Sequence, residues 1–510
     1  MYDGETKERG GNMAVKTVQE RDKKHRIGLI IALIQLVLTV VCLGFIFVLN
    51  LLSMTYVAII GVVLLLIWLI VLLTQFTHKM HIGGKIVSLL MCVVLAMGSY
   101  AMLRANSLIS DITAADYKID KMVVIVMKND PAESLNDTES YKFGIQAVNE
   151  REKTDKAIKE IEDQLDVTLM TVEYDGIDSQ VQALYDGKVQ AIVMNEGMRG
   201  IIEEHFETFS DDTKSLENIE IKTQVEKARD IDVTKDTFNI YISGIDVYGD
   251  ISTNSRSDVN IIATVNPTTG QILLTTTPRD YYVEFPDVTG GSKDKLTHAG
   301  IYGVDCSMNT LEELYGGIEI DYYVRVNFSG VEKIIDAIGG VTVHSDYSFT
   351  THISPHYSFS KGNNEMNGAE ALGFARDRKS VPGGERQRGK NQQYVIEGII
   401  DKITSPAILT NYSKILKAVS GCVQTNLTDA QLKSLVKMQT ETGMDWNIIS
   451  LSANGQNARD YCYSYQGKSL YVMRPDYSTV EYIEQIMQKV YDGETLTEED
   501  EENMPATNEG

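Results

Sequence analysis

The chain has 510 residues, of which 43% are hydrophobic and 23% are charged, and its formal net charge is −24. This length is enough for two or three domains. The acidic balance argues against a general nucleic-acid-binding protein, which would carry a basic face. A local site for an anionic ligand is still allowed, because net charge does not set local fields. The five cysteines show no CxxC or zinc-type spacing, which disfavours a metal–thiolate site.

The N-terminal hundred residues are dominated by apolar segments. No charged residue occurs from Ile27 to Thr77, and this run is too long for one membrane span, since a helix needs about 20 apolar residues to cross. Polar residues near Asn50–Tyr56 divide the run. The sequence therefore predicts spans at Ile27–Leu49 and Val57–Phe76, and a third at Ile86–Leu103. Three such segments exceed the short apolar region of a signal peptide.

Basic residues indicate the orientation of these spans. They lie before the first span and between the second and third: Arg21, Lys23, Lys24, Arg26, Lys79 and Lys85. The loop between the first two spans has none. Under the positive-inside rule, residues 1–26 are cytoplasmic and residues 27–104 hold the three transmembrane helices. Three crossings then place everything after Arg104 outside the cell.

Residues 105–235 are expected to form a separate extracellular accessory domain of the α/β class. The predicted strands are Lys121–Lys128, Val167–Val172 and Ala191–Met194, and the predicted helices are Gln146–Gln164 and Ser179–Gly187. Strands that alternate with helices favour a parallel or mixed sheet. The accessory domain shows no catalytic constellation.

A second α/β domain is expected at residues 236–490. Its predicted strands are Phe238–Ile242, Val259–Val265, Gln271–Thr277 and Val341–His344, and its predicted helices are Ser307–Tyr315, Val331–Ile338, Gly368–Phe374 and Lys390–Ile403. Asn266–Gly270 has the composition of a hairpin turn, and Gly339 with Gly340 forms a helix C-cap. The pattern favours a mixed central sheet flanked by helices. The acidic stretch Glu494–Glu502 predicts a disordered tail at residues 491–510.

Two polar clusters in the second domain carry the candidate chemistry. The first lies at the ends of predicted strands and comprises Asp246, Arg256, Asp258, Arg279 and Asp280; the second lies between predicted helices and comprises Arg376, Asp377, Arg378, Arg386, Arg388 and Gln392. Arginine forks match phosphate oxygens and keep their charge. Mg²⁺ is bound by one or two carboxylates together with phosphate oxygens. The clusters therefore predict a site for a pyrophosphate ester, with ordinary surface salt bridges as the alternative.

Three ordered segments resemble the LytR-CpsA-Psr family. Asp236–Glu284 resembles the opening of its catalytic domain, Tyr323–Val343 resembles the middle, and Gly368–Ile400 resembles the closing arginine motif. The three preceding spans and the domain at 105–235 resemble the capsule-assembly branch of the family.

The resemblance implies a phosphotransferase in the bacterial cell membrane. Such an enzyme moves a glycopolymer, capsular polysaccharide or a teichoic-acid-like polymer, from an undecaprenyl-pyrophosphate carrier to peptidoglycan with the help of Mg²⁺ or Mn²⁺. Asp246 and Asp258 fall on the metal-binding positions. The pyrophosphate-binding positions are Arg256, Arg279, Arg376, Arg378, Arg388 and Gln392, and catalytic roles are implied for Asp246, Arg279, Arg376 and Arg378.

Further features of the resemblance are less specific. Lys293 or Lys295 is expected to add a phosphate contact, and Glu385 stands where many members carry Asp. An apolar tunnel for the polyprenyl chain is expected, with candidate linings at Ile318–Ile320, Val324–Phe328 and Val331–Ile338. Asp246 is the candidate base for the acceptor hydroxyl.

Several alternatives stay open at the level of sequence. The same residues suit a hydrolase of the lipid-linked pyrophosphate, and the accessory domain suits a non-catalytic protein that binds the polymer or regulates its export. Cys422 and Cys462 either form a disulfide or are two free thiols. The sequence does not identify the glycopolymer, the acceptor sugar, the role of the accessory domain or the oligomeric state.

Overall fold

The structure is a computed structural model that describes residues 5–50, 52, 54–77, 80–113, 117–224, 228–245, 251, 253–405, 414–415 and 417–505. The chain divides into two compact units. The first comprises residues 1–109 with 430–443, and the second comprises residues 110–429 with 444–510.

The first unit contains three apolar helices, α1 (Glu5–Leu49), α2 (Met54–Thr74) and α3 (His81–Thr113). Within them, His25–Leu49, Met54–Thr74 and His81–Arg104 are long and apolar enough to cross a membrane, which confirms the three predicted spans. Polar groups pair between the helices. The Ser88 hydroxyl donates to the Gln35 side chain at 2.6 Å, and the Trp68 indole donates to the Ala32 carbonyl at 2.8 Å. Such bonds help helices associate where no water competes.

The second unit begins with a five-stranded mixed sheet in the order β3-β2-β4-β1-β5. Its strands are β1 (Tyr117–Met127), β2 (Lys142–Gln146), β3 (Met170–Tyr174), β4 (Ala191–Asn195) and β5 (Thr213–Gln224), and its helices are α4 (Arg151–Leu165), α5 (Ile177–Tyr185), α6 (Arg199–Glu203) and α7 (Phe209–Asp212). The sequence misplaced the start of α4, because Lys142–Gln146 is a strand whose Phe143 and Ile145 are buried. It also missed β5, where charged residues alternate with the buried Ile219 and Ile221.

The second sheet of this unit has six strands in the order β16-β11-β6-β7-β8-β17. These strands are β6 (Phe238–Ile245), β7 (Ser257–Asn266), β8 (Gln271–Thr276), β11 (Tyr322–Asn327), β16 (Val423–Thr425) and β17 (Asn447–Ser452). The β7–β8 hairpin turn forms as predicted, with Gly270 at φ +67° and the Asn266 side chain accepting from the backbone of Thr268 and Thr269. Strand β17 pairs in parallel with β8, although about 175 residues separate their starts along the chain.

Helices and smaller hairpins surround the six-stranded sheet. The helices of the second unit are α8 (Leu296–Tyr302), α9 (Val304–Leu314), α10 (Phe328–Ala337), α11 (Gly368–Arg376), α12 (Glu385–Thr404), α14 (Tyr477–Tyr491) and α15 (Glu498–Glu502). Helix α13 (Asp429–Thr442) falls almost entirely in the first unit. The paired strands are β9 (Tyr282–Glu284) with β10 (Lys293–Lys295), β12 (Val341–Ser345) with β15 (Gly362–Met366), β13 (Phe349–Thr350) with β14 (Ser358–Phe359), and β18 (Gly455–Cys462) with β19 (Tyr465–Pro475). The predicted mixed α/β class is confirmed. Gly339 and Gly340 end α10 with positive φ angles, as predicted.

The expectation of a disordered acidic tail is wrong for the described part of that segment, up to residue 505. Helix α15 forms there, and Leu496 is buried. Lys489 pairs with Asp500 at 2.6 Å, and the Asp500 carboxylate also accepts from the Thr497 backbone at 2.9 Å. Acidic residues therefore cap a helix start and meet a lysine, two stabilising arrangements that composition alone does not reveal.

The segment from Tyr117 to Gln224, which forms the five-stranded sheet and its helices, is called the accessory segment below. It packs directly on the β18–β19 hairpin. Val123 and Ile192 of the first sheet share one apolar core with Cys462, Leu470 and Val472. All five cysteines are free and buried, so the disulfide alternative for Cys422 and Cys462 is not realised. Cys422 instead lies 3.3 Å from the Lys333 ammonium.

A buried polar network also joins the accessory segment to the second sheet. Asp120 accepts a hydrogen bond from Asn254 at 2.7 Å and pairs with Lys153 at 2.8 Å. The Asn254 side chain in turn accepts from the buried Arg325 of β11 at 3.2 Å. Because Asp120 is fully buried, its partners are what make its burial tolerable.

Candidate active site

An open pocket lies where β7 begins and β8 and β17 end, beside the start of α12. Its lining includes the sequence-predicted Asp258, Arg279, Arg388 and Gln392, together with Glu385 and Arg386. Asp258 stands at the start of β7, Arg279 follows β8, and the first turns of α12 supply the other four residues. Strand ends and a helix start that are distant along the chain therefore meet at one rim, as the sequence predicts.

Arg279 is the central cation of this pocket. Its Nη1 donates to Oδ1 of Asp258 at 2.8 Å, and its Nε lies 3.6 Å from carboxylate oxygens of both Asp280 and Glu385. Burial opposes the charge, but these carboxylates raise the pKa of Arg279 above its usual range. Arg279 therefore stays protonated at any pH the protein meets.

Asp258 is held ionised by the same arrangement. Burial would raise its pKa, but the charges of Arg279, Arg388 and Arg256 lower it below the usual value of an aspartate. The Thr297 hydroxyl adds a hydrogen bond to the same Oδ1 at 3.2 Å. A buried carboxylate kept charged by cations suits a site that handles charged groups.

Glu385, for which the sequence gives no role, joins three arginines. Its carboxylate contacts Arg388, lies 3.6 Å from Arg279 and lies 3.9 Å from the half-exposed Arg378. Burial lowers the pKa of Arg388, and the neighbouring Arg279 adds to this effect against the attraction of Glu385. Glu385 thus offsets the repulsion that would otherwise separate these guanidinium groups.

Three predicted arginines, Arg256, Arg376 and Arg378, lie outside the pocket lining. Arg376 ends α11 with its guanidinium carbon 4.1 Å from the ring centroid of Phe328, a cation–π contact. Arg256 lies against the accessory segment, 3.7 Å from Glu204. Lys295, one of the two lysines considered, is buried 3.6 Å from Asp280, whereas Lys293 is exposed beside Tyr282.

The structure describes one of the two proposed metal-binding residues, Asp258. Asp246 lies outside the described residues. Within the described ranges, no group of three or more histidine, cysteine, aspartate or glutamate side chains is arranged to hold a metal ion. Asp258 offers a carboxylate to the pocket that holds the cations, which fits an ion bound partly by substrate oxygens.

Several pocket residues were not predicted from the sequence. They are Asn260, Thr276, Thr277, Gly389, Ser452, Ala453, Asn454 and Met473. The three threonines at 275–277, which end an apolar strand before Pro278, could have indicated a site here, because polar residues at a strand end favour a site. Asn454 and Met473 gave no such signal, since only the pairing of β17 with β8 and the contact of β19 with Asp280 bring them here.

Comparison with known proteins identifies what this chain resembles. The model of the LytR_cpsA_psr family matches residues 204–478. A polyisoprenyl-teichoic acid–peptidoglycan teichoic acid transferase, TagU, of Bacillus cereus is 36% identical over 228 residues, which are 44% of this chain and 73% of that protein. TagU of Enterococcus faecalis is 36% identical over 203 residues, which are 39% of this chain and 65% of that protein.

Among solved structures, the crystal structure of Bacillus subtilis TagV matches with a TM-score of 0.43 and 28% identity, over 51% of this chain and 99% of that one. The family model covers more than half of the sequence, including both arginine clusters. This chain is a member of the LytR-CpsA-Psr family.

Proposed function

We propose that this protein transfers a glycopolymer from a polyprenyl-pyrophosphate carrier to peptidoglycan. The observation that carries the proposal is the pocket that holds Arg279 and Arg388. The Nε–H groups of both arginines are buried and lie beyond hydrogen-bonding distance of any acceptor among the described residues, with the carboxylates of Asp280 and Glu385 3.6 Å from Arg279 Nε. Buried donors normally have partners, so both guanidinium groups retain donors for an anionic ligand. The names of the TagU relatives specify teichoic acid as the polymer and peptidoglycan as the acceptor.

The residues divide into roles according to their contacts. Arg279 and Arg388 would bind the diphosphate oxygens in the pocket, and Gln392 would add a polar contact, since it lines the same pocket. Arg378 lies at the half-exposed rim, within reach of a longer substrate. Arg376 and Arg256 would act from the edge of the site, because neither lines the pocket.

A divalent cation is part of the proposal. Asp258, together with Asp246, would hold Mg²⁺ or Mn²⁺, which would neutralise negative charge on the diphosphate. The test is a titration of the metal against wild-type protein and Asp258→Asn. We expect the variant to need a much higher metal concentration for the same rate of transfer, and equal requirements would contradict the assignment.

The chemical step is an attack on phosphorus by a hydroxyl of the acceptor sugar. The oxygen bonds to the phosphorus next to the first sugar of the polymer, the bond from that phosphorus to the bridging oxygen breaks, and polyprenyl phosphate leaves. Asp246 is the proposed acceptor of the hydroxyl proton. Arg279 and Arg388 stabilise the charge on the phosphoryl oxygens, and fixed cations in a half-buried site do so without reorganisation.

The proposed location is the outer face of the bacterial cell membrane. The basic residues around the spans support a cytoplasmic N-terminus. A contact in the first unit agrees with this orientation. Lys437 of α13 donates to the Asn50 side chain at 3.3 Å, which brings a residue far beyond the third span to the loop between the first two spans. Both positions are extracellular in the proposed topology.

The function is tested with labelled lipid-linked polymer and purified full-length protein in detergent. We expect the label to appear in peptidoglycan oligomers when these are supplied. Release of free polymer at the same rate with and without oligomers would instead establish a hydrolase. Binding of the polymer without either reaction would establish a non-catalytic role. Parallel assays with teichoic acid and capsular polysaccharide donors identify the polymer.

A further inference from the structure

Arg256, Lys295 and the pocket are joined by one line of alternating charges that begins in the accessory segment. Glu204, the residue after α6, has an oxygen 3.7 Å from Arg256 and 3.8 Å from Lys295. Lys295 lies 3.6 Å from Asp280, which lies 3.6 Å from Arg279. Arg279 then bonds Asp258. The accessory segment thus contributes the carboxylate that separates the two outer cations.

The position of Arg256 also depends on α6. A Cβ atom added to Gly200 would lie 3.0 Å from the Arg256 guanidinium carbon and from its Nη2. The guanidinium group therefore packs against the bare backbone of this helix, one turn before Glu204. A glycine that leaves room for one particular side chain is a sign of close approach.

Helix α6 itself is firmly held. Ile201 and Ile202 are buried in the core that the accessory segment shares with the β18–β19 hairpin. The Lys468 ammonium donates to the Glu204 backbone carbonyl at 2.9 Å. The carboxylate of Glu204 is therefore presented from a packed element rather than from a loose loop, which is what precise placement of charges requires.

Glu204 supplies one of the carboxylates that balance the charge of the buried Lys295. Lys295 has only 8% of its side chain exposed, and its ion-pair partners are Glu204 and Asp280. Without Glu204, Asp280 would be the remaining ion-pair partner of Lys295 among the described residues, and Lys295 would compete with Arg279 for that carboxylate. The arrangement of cations around the pocket would then shift.

We propose that Glu204 is a positioning residue of the active site, supplied by the accessory segment, which places Arg256 and Lys295 for the diphosphate of the donor. The inference rests on the proposed function. Glu204 would not touch the reacting atoms. Its charge would weaken binding of the diphosphate in the ground state, and its placement of the cations would favour the transition state, which is the direction that raises the rate.

The test compares wild-type protein with Glu204→Gln, which keeps the shape and removes the charge. We expect Glu204→Gln to bind inorganic pyrophosphate about twofold to fivefold more tightly, because the change removes one negative charge behind the cations, and Coulomb interactions in wet surroundings are of this order. We expect its kcat for transfer to fall on the order of tenfold, because small misplacements of binding groups are costly. Calorimetry and transfer assays on the full chain measure the two quantities.

Glu203→Gln is the matched control, because Glu203 is the last residue of α6, directly before Glu204, and accepts a hydrogen bond from Ser210 instead. Glu203→Gln should change neither the affinity for pyrophosphate nor the kcat for transfer. Glu204→Asp keeps the charge and should therefore bring both values part of the way back to those of the wild type. Simple damage to the fold would not tighten binding. Unchanged or weaker pyrophosphate binding by Glu204→Gln overturns the inference. If wild-type protein binds pyrophosphate without transferring polymer, the proposed function fails and the binding comparison still decides the role of Glu204.

Discussion

Arg279 and Asp258 form a hydrogen-bonded ion pair of 2.8 Å at the base of the pocket, across the adjacent strands β7 and β8. Each partner shifts the pKa of the other toward the charged state, and burial opposes both shifts. The pair occupies one edge of the guanidinium group. The buried Nε–H of Arg279 faces the carboxylates of Asp280 and Glu385 at 3.6 Å, so the pair with Asp258 orients the arginine and leaves this donor without a hydrogen bond among the described residues.

Replacement of Arg279 by alanine should lower the rate of polymer transfer by about 10²–10³, the range seen when a donor to a developing oxyanion is removed. The loss should appear mainly in kcat, because the interaction is strongest where charge develops. Transfer from a lipid-linked donor to peptidoglycan oligomers measures it.

Arg459→Ala is the control for that experiment. Arg459 is exposed on the β18–β19 hairpin and donates to the Ser469 carbonyl, outside the pocket lining. The control removes the same charge from the same unit and should leave the rate near wild type. Near-normal turnover by Arg279→Ala would refute the assignment of Arg279 as the central cation.

The sequence predicted the residues whose position depends on local features. Asp258 and Arg279 stand beside strands that the apolar pattern identifies. In the arginine motif, Arg388 stands just before the predicted helix Lys390–Ile403 and Gln392 stands in its first turn. Strand and helix ends of one α/β layer meet at a common rim, so these residues were expected to lie together.

Positions set by long-range packing could not be predicted in the same way. Glu204 reaches the site only because the accessory sheet docks on the β18–β19 hairpin, and Met473 reaches it only because β19 contacts Asp280. Arg376 belongs to the motif, yet an aromatic ring 48 residues earlier in the chain holds it away from the pocket lining. No local pattern in the sequence encodes these distances.

Glu385 should matter for both stability and transfer, because it lies among three guanidinium groups. Glu385→Gln removes the charge that offsets the mutual repulsion of Arg279, Arg388 and Arg378. Arg388 has only 10% of its side chain exposed, and loss of a partner for a mostly buried polar group costs about 1–3 kcal/mol of unfolding free energy. Chemical denaturation measures the loss of unfolding free energy, and a transfer assay measures the effect on the rate of polymer transfer.

Glu385→Asp separates the contribution of the negative charge at this position from that of side-chain length. The shorter side chain keeps the negative charge and should therefore recover part of the stability lost in Glu385→Gln. Equal losses in the two variants would show that side-chain length, rather than compensation of charge, is what the position requires.

Asp120 should be essential for docking of the accessory segment. Its carboxylate is fully buried between Lys153 and Asn254, so Asp120→Ala removes one partner of the mostly buried Lys153, which keeps Glu150 at 2.9 Å, and the buried acceptor of Asn254. Loss of a partner for a buried polar group costs about 1–3 kcal/mol. Denaturation of the full chain should show a loss of this order.

The control for Asp120 is Glu152→Ala on the same helix as Lys153. Glu152 pairs with Lys156, and both side chains are more than half exposed. Exposed pairs contribute about 0–1 kcal/mol. Equal effects of Asp120→Ala and Glu152→Ala would mean that the buried network does not hold the accessory segment in place.

Glu397 should make the stability of the protein depend on pH through helix α12. Burial raises the pKa of Glu397 above its usual value, and the hydrogen bond from Ser450 opposes this shift only in part. A carboxyl group whose pKa is higher in the folded than in the unfolded state costs stability once it ionises, so the cost appears as pH rises above the unfolded value of about 4.3. Glu397→Gln should therefore raise the melting temperature at pH 7.5 and have little effect at pH 4.

Ser450→Ala should enlarge the loss of stability between these two pH values, because it removes the donor that favours the ionised form of Glu397. A melting temperature of Glu397→Gln that falls below that of the wild type at pH 7.5 would show that the ionised carboxylate stabilises α12 instead.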